Sequence, residues 1–121
     1  MRYITIEEFC ESLEADGMCR VAHHADNADH YTIWVVGADD ALDTKDGRRF
    51  VGLFREMYKQ IGKAHFVKAF NPNGQLTAIE NSVYAFRQFF ADWYYHFEWI
   101  DKEKYETIKG QISVEALNAR R

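Results

Sequence analysis

The 121 residues are 47% hydrophobic and 28% charged with a single proline, a composition that gives one domain able to bury a core without covalent or metal staples and excludes disordered and low-complexity chains. The net charge of −4 is unevenly spread: eleven acidic residues stand against Arg2, Arg20 and Lys45 up to Asp46, whereas twelve basic residues outnumber eight acidic ones from Gly47 onward. An acidic first third attracts basic partners and repels nucleic acid.

At the N-terminus, MRYITIEEFCESLEADG lacks the basic start and apolar run of an export signal, so a cytoplasmic location is expected. Thr5 followed by Glu8 forms a capping box, and Ile6, Phe9, Cys10 and Leu13 recur at helical spacing up to Gly17, which predicts a short amphipathic helix. Cys10 and Cys19 fit no paired metal or redox spacing and are read as small buried hydrophobes. Residues 18 to 25 and 30 to 36 are strand-like runs around a polar turn, a first hairpin. The next stretch, GADDALDTKDG at 37 to 47, is the most acidic of the chain and reads as a loop.

Phe50, Leu53, Phe54, Met57, Tyr58 and Ile61 then set a second helix over 48 to 61, ended by Gly62. Residues 63 to 70 and 75 to 80 flank Asn71-Pro72-Asn73-Gly74, which suits a type I turn closing a second hairpin. The third helix begins near Asn81 or Ser82 and either continues past Asp101 or gives way to a separate helix capped by Asp101, with Tyr105 and Ile108 inward. From Ser113 a basic, mobile tail with at most one more turn is expected. The order helix, hairpin, helix, hairpin, helix predicts an α+β fold in which the two hairpins form one four-stranded antiparallel sheet packed against helices.

Residues 82 to 100 hold nine of the nineteen aromatic residues. Arg87, Gln88, Asp92, His96 and Glu98 make this segment a poor membrane span, since a central Arg or Asp costs roughly 2.5 to 3.5 kcal/mol to insert. As a helix it places Val83, Phe86, Phe89, Phe90, Trp93, Phe97 and Ile100 on one stripe, the core face, at roughly 1.5 to 3 kcal/mol of burial each. Tyr84, Gln88, Ala91, Asp92, Tyr95 and Trp99 line the reverse, a mixture of rings and polar tips that either the chain's own tail or the 37–47 loop covers or that serves as a protein interface.

His23, His24 and His30 invite a metal reading, with His23 and His30 sharing one face if the hairpin closes around residues 27 and 28, but the spacing matches no metal motif and neither metal nor other cofactor is expected. Asp92 and His96 stand four apart as a helix pair without an identifiable nucleophile, and His65 and Glu80 are placed to pair across the second hairpin. Arg48, Arg49, Arg55 and Lys59 form a basic stripe that reads as a solvated helix face. Phosphate loops, nucleophile elbows and CxxC pairs are absent from the sequence.

The reading that asks for no missing motif is a non-enzymatic cytosolic protein acting by protein–protein binding. Its interface comprises Tyr84, Gln88, Asp92, Tyr95 and Trp99 together with the acidic Asp39, Asp40, Asp43 and Asp46. An inhibitor or adaptor of this kind, such as phages and mobile elements direct against host nucleic-acid-handling complexes, would meet a basic or nucleic-acid-binding protein; a homodimer through the same face is the other form. The competing reading is a small-ligand domain or enzyme whose pocket lies between sheet and long helix, lined by Trp34, Tyr58, Trp93 or His96.

Overall fold

The computed structural model describes residues 3–24, 26, 30–36, 40–63 and 65–120. Helix α1 (Ile6–Glu14) starts where the Thr5 hydroxyl accepts from the Glu8 amide. The strands β1 (Cys19–His23) and β2 (Tyr31–Val35) pair antiparallel, a 3-10 turn at Ala41–Asp43 follows, and α2 (Lys45–Gln60) begins at a Thr44 cap on the Gly47 amide. Helix α2 therefore starts three residues before the sequence places it, and the acidic stretch between 40 and 46 is a helical turn and a helix start instead of a loop. Gly62 lies in the left-handed region, at φ +78°, and turns the chain out of α2.

Strands β3 (Phe66–Phe70) and β4 (Leu76–Glu80) pair antiparallel across a turn in which the Gly74 amide donates to the Asn71 carbonyl. Gly74 sits at φ +85°, so the type I turn continues into a glycine bulge of the kind that closes three-residue hairpin loops. Helix α3 (Val83–His96) is capped by Ser82, and α4 (Lys102–Ala119) by Asp101. Of the two endings the sequence left open, the chain takes the separate helix, and residues 113–119, expected as a tail, belong to α4.

The expected single four-stranded sheet does not form: β1–β2 and β3–β4 are two separate two-stranded sheets. Two of their four edges are occupied by helical side chains. On β1, the outward N–H of Val21 donates to the Glu14 carboxylate at 2.6 Å, while beside β3 the Phe70 carbonyl accepts from the Trp93 indole and the Asn71 carbonyl from Arg49. Each of these edges is met by a helical side chain instead of another strand.

The core is built mainly from the helices and is largely aromatic. Phe9 of α1 meets Phe54, Phe86 and Phe90 at centroid distances of 5.0 to 5.8 Å, and Tyr31 of β2 packs on Tyr58 at 4.7 Å. Of the core stripe expected for α3, Phe86, Phe89, Phe90, Trp93 and Ile100 are buried, and Val83 and Phe97 are half-buried against them. No helix among the described residues is long and apolar enough to cross a membrane.

Candidate functional site

The reverse face of α3 is only partly open. Helix α4 packs along it: Tyr105 stacks on Tyr95 at 4.7 Å, Arg87 pairs with Glu115, and Ala91, lying between them on that face, is 0% exposed. A methyl at position 91 lets the two helices approach closely. Tyr84 and Trp99 are half-buried, the latter packed on Phe97, Tyr94 and Phe50, and Gln88 donates to Asp92. Tyr95, 40% exposed, is what remains as an open ring.

Around Tyr95 the chain builds a cleft of about 370 Å³ lined by Asn71, Pro72, Asn73, Asp92, Tyr95, His96 and Tyr105. The turn after β3 forms one wall, the last turn of α3 the floor and the first turn of α4 the other wall. The Tyr105 hydroxyl donates to the Asp92 carboxylate, and burial, reinforced by that carboxylate, holds the Tyr105 phenol well above its ordinary pKa. It is a hydrogen-bond donor at any physiological pH.

His96 does not pair with Asp92, the i, i+4 partner expected from spacing. Its Nε2 lies 2.9 Å from the Asp46 carboxylate at the start of α2, and that hydrogen bond, with the charge interaction of the same His96 ahead of those of Arg49 and Lys45, holds Asp46 below the usual carboxylate range. His96 is therefore shared between the Tyr95 cleft and a second, adjoining hollow of about 510 Å³ lined by Thr44, Lys45, Asp46, Phe97 and Glu98. The two halves of the interface expected from sequence, the α3 face and the acidic segment, meet at this histidine. Asp40 and Asp43 are exposed on the same segment, Asp43 beside Arg48; Asp39 lies outside the described residues.

Glu98 contributes a carboxylate at a costly position. Helix α3 ends with the Trp99 amide donating to Tyr94 and the Glu98 amide to Tyr95, the paired bonds of a Schellman end, with the Trp99 and Tyr94 rings 5.9 Å apart. That motif puts Glu98 at φ +60°, where glycine is the usual residue and another side chain costs about 1 kcal/mol. Tyr105, Glu98 and the asparagine turn are the site residues that sequence reasoning missed. Only the turn had a readable signal, its Asn-Pro-Asn-Gly.

The other sequence candidates dissolve into structure. The first hairpin pairs His23 with Tyr31, and the His24 amide donates to the His30 carbonyl, a register one residue off the expected one. His24 and His30 therefore face each other, stacked at 4.3 Å, and His23 does not share their face. The described residues contain no group of three or more His, Cys, Asp or Glu that could hold a metal. His65 lies opposite Asn81 instead of Glu80 and meets Tyr3. The basic stripe of α2 is broken up: Arg48 turns to Asp43, and Arg49 lies over the Trp93 and Phe70 rings. Of the rings proposed for a ligand pocket, Trp93 and Tyr58 fill the core and Trp34 points outward.

Searches with family models, curated proteins and solved structures return no match.

Proposed function

We propose that the protein acts by binding another protein, through the surface where the ends of α2 and α3 meet: Asp46, Asp92, Tyr95, His96 and Glu98, bordered by Asp43 and the turn at Asn71. The observation that carries this reading is the His96–Asp46 contact, which makes one continuous surface of an exposed tyrosine and three carboxylates. A ring whose polar tip stays wet supplies contact area at low rotamer cost, and clustered carboxylates favour a basic patch on the partner and speed its approach. Glu98, at a glycine-favouring position, adds a carboxylate to this surface. The role is that of an inhibitor or adaptor rather than a catalyst, and a basic, nucleic-acid-handling protein is the partner class that the charge suits.

The test is differential affinity capture with mass spectrometry, comparing the wild-type chain with the double variant Tyr95→Ala/Asp46→Asn, which alters exposed or half-exposed groups and whose fold is checked by circular dichroism. A basic protein retained by the wild type, released by added salt and lost with the double variant supports the reading. An identical set of captured proteins from both chains contradicts it.

A further inference from the structure

The first hairpin has a second feature that the cleft does not use. In its register the even-numbered residues exchange hydrogen bonds across the pair, so Cys19, Val21 and His23 on β1 and Tyr31, Ile33 and Val35 on β2 direct their N–H and C=O groups outward. On β1 the Glu14 carboxylate occupies the Val21 amide. On β2 the backbone groups of Ile33 and Val35 have no hydrogen-bond partner among the described residues. This strand, Tyr-Thr-Ile-Trp-Val, also has none of the lysines, prolines or inward-pointing charges that protect an edge. Trp34 stands on its outer face 52% exposed, across from Arg20.

We infer that the free edge of β2 is a docking site for an extended segment of a partner protein, added antiparallel as a third strand, with apolar residues at its centre and basic residues at its ends. The backbone groups of Ile33 and Val35 supply the ladder, and Trp34 supplies a ring for an apolar or cationic side chain. Charge decides the occupant. Asp26, beyond one end of β2, and Asp40, beyond the other, are both exposed. A segment with lysine or arginine at both ends meets an opposite charge beyond each end of β2, whereas a second copy of β2, itself without charge and flanked by the same aspartates, meets none. The inference rests on the hairpin alone and stands whether or not the Tyr95 cleft binds.

The probe is the synthetic peptide Lys-Lys-Val-Thr-Val-Thr-Val-Lys-Lys, titrated into the full chain while amide exchange is followed, alongside its counterpart with glutamate in place of every lysine. Expected are saturable binding, slowed exchange at the Ile33 and Val35 amides, and affinity for the basic peptide about tenfold or more above the acidic one at low salt. Trp34→Lys, a change at an exposed side chain, and Ile33→Pro, which removes an outward N–H without touching the ladder, should each abolish binding, whereas Tyr95→Ala/Asp46→Asn should bind as the wild type does. Absence of saturable binding, equal affinity for the two peptides, protection confined to other strands, or self-association of the chain through β2 in sedimentation would each overturn the proposal.

Discussion

Replacing Arg87 by methionine should destabilise the chain more than any other single change at a charged residue. Its side chain is 8% exposed and ties α3 to two other elements: Asp16, just after α1, at 2.7 Å, and Glu115 of α4. Burial alone would lower the guanidinium pKa, but the two carboxylates outweigh it and hold the value above its ordinary level. The cost of losing Arg87 depends on which carboxylate is stranded. Glu115 is 53% exposed and rehydrates, a loss in the range of a surface pair, about 0 to 1 kcal/mol. Asp16 is 3% exposed, with one carboxylate oxygen already unpartnered, and is left as a buried charge, which raises the total to about 3 to 5 kcal/mol. Thermal unfolding followed by circular dichroism should show a midpoint roughly 10 to 20 °C lower for Arg87→Met and nearly unchanged for Glu115→Gln. Combining Arg87→Met with Asp16→Leu should recover most of the loss, because the stranded charge goes with it. A loss below about 1 kcal/mol for Arg87→Met, or a double variant no better than the single, would refute the account of this clamp.

Three further outcomes follow from local geometry. Gly47→Ala, ordinarily favourable inside a helix, should destabilise by about 1 to 3 kcal/mol because a methyl there would lie 2.2 Å from the Ala41 carbonyl oxygen, whereas Gly110→Ala meets nothing within 4 Å and should stabilise by about 0.5 to 1 kcal/mol; denaturant titration separates the two. Glu98→Gly should stabilise by about 1 kcal/mol by relieving the left-handed backbone, while weakening partner capture because a carboxylate leaves the surface. Burial pushes the Cys19 thiol, and burial with nearby glutamates the Cys10 thiol, up to about 11, so at pH 8 both should react with a disulfide reagent far more slowly in the native chain than in denaturant.

The parts of this fold that were legible in the sequence are those written in local chemistry. Thr5, Ser82 and Asp101 each cap the helix they precede, and the Asn-Pro-Asn-Gly turn sets its hairpin as its residues dictate. The aromatic stripe of α3 could be read because period and burial agree over fourteen residues. What could not be read depends on partners far apart along the chain. Whether two hairpins share a sheet depends on what meets their edges, such as Glu14 at β1 and Trp93 at β3, and no periodicity records that. Histidine 96 was given the wrong carboxylate because spacing along one helix makes Asp92 its neighbour, whereas the Asp46 contact spans fifty positions. The first hairpin shows how little error is needed: one residue of register exchanges which histidines face each other. The reverse face of α3 carries rings with polar tips, which suit the chain's own tail as well as a partner, and only contacts made across the fold, through Tyr105, Ile108, Ile112 and Glu115, seat α4 there.

The most direct test of the proposed contact surface is zero-length carbodiimide cross-linking of the captured complex, which joins carboxylates to lysines in contact, read by mass spectrometry. The account predicts links from Asp43, Asp46 or Glu98 to lysines of the partner. Links from other acidic residues alone, such as those of α1, with these three unmodified, would contradict it.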